Sequence, residues 1–170
     1  MEKRAIGSSQ VAAIGFGCMA ISHAYGPALE KTAAQKVLHR ALDIGHTFLD
    51  TAALYGFGAN EELLGNILSS RRKEYFLASK CGLFKDSEGK REINGRPEVI
   101  KQTCEDSLQR LKTDYIDLYY LHRMDKQVPI EESVGALSDL VKAGKIVHIG
   151  LSEVSAKTLR KAHAVHPVSA

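Results

Sequence analysis

Gly15-Phe16-Gly17-Cys18-Met19-Ala20 closes the first clear β-type run of the chain, Ala13–Cys18, and the choice of fold rests on how it is read. Its glycines are spaced as in a dinucleotide-binding turn, with alanine in the third place. That motif works when the glycines open a helix, whose free N–H groups then hold a pyrophosphate. Here the next strong helix signal is Thr32, with Gln35 three residues later in a capping-box pattern. Val37, Leu38, Ala41 and Leu42 form the apolar stripe of that helix, and Gly45 is placed to end it. The glycines therefore lie too far from a helix start for an open Rossmann sheet. Alternating β and α runs leave a parallel barrel as the other main arrangement.

The rest of the chain follows that alternation. Further β-type runs are Thr47–Asp50, Tyr75–Lys80, Ile116–His122 and Ile146–Leu151. Their starts lie roughly 30 to 40 residues apart, the length of a βαβ unit. The second helix is expected near Asn60, with Glu61 and Glu62 in its first turn, where the helix dipole favours acids. Leu63, Leu64, Ile67 and Leu68 are its inward side. Pro97 suits a first helical position, and Ile100, Cys104, Leu108 and Leu111 follow at helical spacing. A fourth helix follows Pro129, buries Val134, Leu137 and Val141, and stops at Gly144. A fifth starts near Ser155, carries Leu159 and Ala162, and runs toward Pro167. Before the first barrel-type run, Lys3–Ile6 and Gln10–Ala12 flank Gly7-Ser8-Ser9 and predict a small hairpin. Cys81–Gly95 is expected to be a long polar loop.

Four residues suited to proton transfer stand at or just after the ends of these runs: Asp50, Tyr55, Lys80 and His122. In a parallel barrel, side chains at the carboxyl ends of neighbouring strands converge on one face. Each residue taken singly has an ordinary structural reading. Asp50 would cap a turn, Tyr55 would pack, Lys80 would be solvated and His122 would be a core or surface histidine. Their joint placement points to a proton-donor site assembled from three segments.

These segments resemble the aldo-keto reductase family. Gly15–Met19, Asp50–Gly56, Ser79-Lys80, Tyr120–Arg123 and Gly150–Glu153 match its motifs in order along almost the whole chain. The resemblance implies an α/β (β/α)8 TIM barrel that reduces aldehydes and ketones with NADP(H). It puts the catalytic tetrad on Asp50, Tyr55, Lys80 and His122. Hydride transfer to a carbonyl builds negative charge on oxygen, which an acid must quench. A lysine ammonium beside a phenol favours its ionised form and makes it a better acid. A carboxylate keeps the lysine charged and directed, and an imidazole orients the carbonyl. Tyr55 is thus the expected donor, Lys80 its tuner, Asp50 the anchor of Lys80, and His122 the orienting group. The resemblance also points to Gly17, Cys18, Met19, Asp50, Ser152 and Glu153 as cofactor-binding positions. Many family members have Asn where this chain has Glu153. Arg123 reads as a partner of the site or as a surface ion pair. Tyr25, Phe57 and Phe84 read as aromatic walls on the substrate side or as loop anchors.

Composition excludes several other classes. Net charge is +3, too small to argue for nucleic acid or an anionic membrane surface. No run approaches the length of a membrane-spanning helix, and no apolar signal region follows Met1-Glu2-Lys3-Arg4. Cys18, Cys81 and Cys104 are odd in number, far apart and without CxxC, which fits buried, reduced thiols in a cytoplasmic protein. No metal site is expected.

The 170 residues are read as one reductase-like domain. A barrel of this class usually needs about 250 residues. The β-type runs amount to about five of eight βα units plus the hairpin. The expectation is therefore a barrel truncated on its carboxyl-terminal side, at the point where the family would begin a sixth strand. Such an arc would expose strand edges and invite self-association through them. It would also lack most of the dinucleotide-holding region, so an inactive fragment or a non-catalytic binding or assembly module is the alternative.

Overall fold

The computed structural model describes residues 1–22, 26–85 and 88–170, with Lys85 described by its backbone alone. Tyr25, a candidate pocket aromatic from its sequence position, lies outside the described residues. The chain opens with a hairpin of β1 (Lys3–Ile6) and β2 (Ser9–Ala12), paired antiparallel with Ile6 opposite Ser9. Then come β3 (Phe16–Gly17), α1 (Met19–Ser22), α2 (Lys31–Asp43), β4 (Phe48–Asp50), α3 (Ala59–Leu68) and β5 (Phe76–Cys81). A second hairpin, β6 (Leu83–Lys85) and β7 (Arg91–Ile93), precedes α4 (Pro97–Leu111), β8 (Ile116–Leu121), α5 (Ile130–Lys142), β9 (Ile146–Leu151) and α6 (Ala156–Val165).

Five of these strands form a parallel sheet in the order β3-β4-β5-β8-β9. Successive side chains on a strand point to opposite faces, and the two faces differ. On one, Leu49, Leu77, Cys81, Tyr119, Leu121, Ile149 and Leu151 merge with the apolar sides of the helices into a single core. On the other, Phe48 meets Phe76 edge-on at 5.2 Å, and Phe76 stacks on His148 at 6.3 Å between ring centres. The first hairpin covers the amino-terminal part of this inner face, where Ser9 Oγ lies 2.9 Å from His148 Nε2. The opposite end of the inner face is left for the tips of the strands.

The structure departs from the sequence expectations where neighbours decide the outcome. The first run reduces to Phe16–Gly17, because among the described residues this strand pairs with β4 alone and Ala13 is instead held by the Glu2 carbonyl. A one-turn helix, α1, follows Gly17 almost at once, so the glycines do precede a helix, although one of only four residues. Helix α2 begins at Lys31 with Glu30 as its N-cap and no side-chain cap, so the Thr32 capping box does not form. The expected polar loop after β5 contains the β6–β7 hairpin. Val37 and Leu159, expected in apolar stripes, are 39% and 40% exposed. Leu63 and Val141 are half-buried against the core. Helices α4 and α5 follow their sequence patterns closely, with Pro97 at the helix start and Ser133, Val134 and Leu137 buried. Beside β9, Ser169 N donates to Ile149 O at 2.9 Å and Leu151 N to Ala170 O at 3.0 Å, so the last residues run along that strand's outer edge. Among the described residues, no helix is long and apolar enough to cross a membrane.

Candidate active site

Strand β4 ends at Asp50, and the register sets Asp50 beside Ala78 of β5, two residues before Lys80. Both side chains therefore emerge on the inner face at neighbouring strand tips. Lys80 Nζ donates to Asp50 Oδ1 at 2.5 Å and to Thr51 O at 2.8 Å. It also reaches Tyr55 Oη at 3.4 Å. The ammonium lies 5.0 Å from the Tyr55 ring centre and 5.9 Å from that of Tyr120. Lys80 itself is buried, its stem covered and its head held by oxygens, the usual condition for a charge out of water.

Tyr55 opens a short 3₁₀ turn, Tyr55–Gly58, in which Gly56, Phe57 and Gly58 all have positive φ. Left-handed backbone is costly for a side chain such as that of Phe57. The glycines on either side carry the rest of the reversal that sends the chain into α3. The Tyr55 ring meets the His122 ring edge-on, 6.1 Å between centres and 84° between planes. His122 follows β8 and is tied to the tip of β5 by its backbone N–H, which donates to Cys81 O at 2.9 Å. Its ring is buried, and Nδ1 has no hydrogen-bond partner among the described residues. Burial pushes the imidazole down to about 4, with the charges of Lys80, Arg123 and Arg91 adding to the shift. At neutral pH it is therefore uncharged and keeps one N–H donor and one acceptor nitrogen.

The structure thus brings Asp50, Tyr55, Lys80 and His122 into one cluster at the carboxyl ends of β4, β5 and β8. Of the cofactor candidates, Asp50 belongs to the cluster itself and the others lie on its two flanks. On the β3 side, Gly17 pairs beside Asp50, and nothing stands within 4 Å of where its side chain would be. Backbone at such a position is open to close approach by a ligand. Cys18 is fully buried, its N–H donates to Asp50 O, and its carbonyl accepts from Asn60. Burial drives its thiol far upward, so it is inert at neutral pH. Met19 is the first residue of α1. On the β9 side, Arg123 donates to His122 O at 2.6 Å, Ser152 Oγ at 3.1 Å and Glu153 Oε1 at 2.7 Å. Glu153 has a positive φ and an exposed side chain. Phe57 and Phe84 share a hollow with Leu54, Thr103, Asp106 and Arg110, and none of the four cluster residues lines it. Among the described residues, no group of three His, Cys, Asp or Glu could hold a metal ion.

Sequence reasoning gives Asn60, Glu61 and Ser79 no part in the site. Glu61 reads as an acid in a helix's first turn, yet its side chain is fully buried. Its basic partner, Arg110, lies 49 residues along the chain. No local pattern marks so distant a pairing.

Comparison with known proteins points to one family. A family model described as "Aldo/keto reductase family" matches residues 13–170. The aldo-keto reductase yakc (NADP(+)) of Schizosaccharomyces pombe is 52% identical over 170 residues, covering 98% of this chain and 50% of its own length. The holo form of aldo-keto reductase AKR11C1 from Bacillus halodurans superposes with a TM-score of 0.86 at 34% identity, covering 99% of this chain and 55% of that one. The glycerol dehydrogenase AKR11B4 from Gluconobacter oxydans gives 0.88 at 32% identity, covering 98% and 53%. The chain thus spans about half the length of the curated relatives it matches.

Proposed function

The chain belongs to the aldo/keto reductase family, and from that membership we propose that its strand-tip cluster takes part in the NADPH-dependent reduction of aldehydes or ketones to alcohols. One observation carries the reading: the Lys80 ammonium sits between the Asp50 carboxylate and the Tyr55 hydroxyl. NADPH, when bound, supplies a hydride to the carbonyl carbon. Tyr55 Oη donates the proton to the carbonyl oxygen as charge builds there. Lys80 stabilises the phenolate left behind, and Asp50 holds Lys80 in line. The uncharged His122 offers its N–H to the same oxygen and fixes its direction. The open backbone at Gly17 and the polar side chains of Ser152 and Glu153 are groups that would hold a nicotinamide cofactor. Cys18 and Met19 continue the Gly17 segment, Cys18 through its backbone, since its thiol is buried.

On this reading residues 1–170 act as one reductase-like domain. The buried, unpaired thiols suit a reducing, cytoplasmic setting. A second reading is a reductase-like binding or assembly module without turnover, self-associating through its strand edges. It is favoured by β3, which pairs on one side only among the described residues. Fluorescence titration with NADPH, alongside light scattering and an NADPH-oxidation assay with an aromatic aldehyde, separates the two. Micromolar binding with turnover supports the reductase. A folded sample that binds no cofactor and turns nothing over supports the module.

A further inference from the structure

We propose that the first turn of α3, through Asn60 and Glu61, is a brace that positions Lys80 from behind the sheet. The inference rests on the reductase reading of the cluster, and it adds positioning residues that touch neither substrate nor cofactor. Lys80 projects onto the inner face, but its neighbour Ser79 points the other way, into the helix layer. There Ser79 Oγ donates to Glu61 Oε1 at 2.5 Å. The other carboxylate oxygen accepts from Arg110 Nε at 2.8 Å, Arg110 Nη2 at 2.7 Å and Ser107 Oγ at 3.2 Å. Glu61 is 0% exposed, so among the described residues its charge is held by these donors alone. A buried ion pair of this kind is weak evidence for stability and better suited to fixing one geometry.

Asn60 does the same for the other half of the Lys80 cradle. It is also fully buried and accepts from Thr51 Oγ1 at 2.6 Å. Its amide donates to Cys18 O at 2.9 Å and to Ser22 Oγ at 2.6 Å. Thr51 is the residue whose carbonyl accepts from Lys80 Nζ. Two adjacent side chains on one helix thus grip the residue after Asp50 and the residue before Lys80. The left-handed turn at Gly56–Gly58 brings them there. A side chain at Gly58 would meet Arg110 Cδ at 2.7 Å, so the turn itself closes over the carboxylate's partner.

The variants Ser79→Ala and Arg110→Gln separate positioning from mere stability. Both remove a donor from Glu61, but only the first breaks the link to β5. The full chain, labelled with ¹⁵N-lysine, is followed through the proton exchange of the Lys80 ammonium, identified by its loss in Lys80→Arg. This readout requires no turnover. Ser79→Ala is expected to speed that exchange by roughly fivefold or more, within the range for coupled neighbours. Arg110→Gln is expected to lower the melting temperature more while leaving the exchange near the parent rate. In turnover assays, Ser79→Ala lowers kcat with the NADPH KM unchanged. Parent-like exchange in Ser79→Ala overturns the brace, as does an equal effect in Arg110→Gln. If Tyr55→Phe retains full turnover, the reductase reading fails instead, and the exchange comparison still decides the brace.

Discussion

β5 and β3 are parallel strands of one sheet, both written as short apolar runs, yet they have opposite fates. β5 lies between β4 and β8, and from Leu77 to Cys81 every residue is buried. Among the described residues β3 has one neighbour and two residues, and the ground around it stays open: Ile14 is 62% exposed, Val37 39% and Ile44 49%. The contrast extends to chemistry. Lys80 and His122, the buried members of the cluster, stand at the tips of the inner strands β5 and β8, Lys80 held by the Asp50 and Thr51 oxygens and His122 tied to β5 through its backbone N–H. Apart from Asp50, the cofactor candidates sit on the flanks, Gly17 at β3 and Ser152 with Glu153 at β9. Two members of the proposed proton-transfer cluster thus stand in the best-packed part of the sheet, and most of the proposed cofactor positions lie on its margins.

The sharpest way to break that contrast is a matched pair of truncations. Leu77→Ala, in the fully buried strand, is expected to cost about 2–5 kcal/mol of stability, the range for deleting buried aliphatic groups. Val37→Ala, at the open margin, should cost under about 1 kcal/mol, because much of its side chain already meets water. Urea unfolding of both variants measures the gap. Equal losses would mean that the β3 margin is as well packed as the centre.

A second prediction turns on pH. His122 has a folded value near 4 against an ordinary 6.5, mainly through burial. Above about pH 6.5 the ring is neutral in both folded and unfolded chains and contributes nothing. As pH falls from about 6.5 toward 4, the unfolded chain takes up a proton that the folded chain resists. The loss of stability reaches about 3 kcal/mol at roughly 1.4 kcal/mol per pH unit. His148 is shifted the same way by burial, so the parent alone does not isolate the effect. His122→Gln should flatten the difference between stabilities at pH 7 and pH 4.5. An unchanged slope would show that the ring is not held neutral in the folded chain.

A smaller effect is expected on the β9 flank. Ser152→Ala removes one acceptor of Arg123 and one hydroxyl from the proposed cofactor position. It should weaken NADPH binding by about 1 kcal/mol, the worth of one hydrogen bond, with little change in melting temperature. A calorimetric titration that shows parent affinity would remove Ser152 from the cofactor site.

What the sequence makes legible follows the same division. β5, β8, β9 and α4 are close to their sequence bounds, because strands covered on both faces read as continuous apolar runs and a helix with Pro97 at its start declares itself. β3 is shorter than its run, because strand length at a margin depends on a neighbour that the local residues do not encode. The β6–β7 hairpin reads as loop because its residues are mostly polar, Arg91, Glu92 and Ile93 all being exposed. The strand-tip cluster is legible because its members end or follow β-type runs, Asp50 and Tyr55 sharing one. The brace behind it is not, since Glu61 looks like any first-turn acid until α4 brings Arg110 and Ser107 against it.

The most direct test of the account is the rate of NADPH oxidation with an aromatic aldehyde by Tyr55→Phe, measured beside the parent with cofactor affinity and circular dichroism as controls. If a phenol flanked by Lys80 and His122 supplies the proton, the rate falls by about a hundred- to ten-thousand-fold while folding and NADPH binding stay as they were. A Tyr55→Phe variant that oxidises NADPH at the parent rate would contradict it.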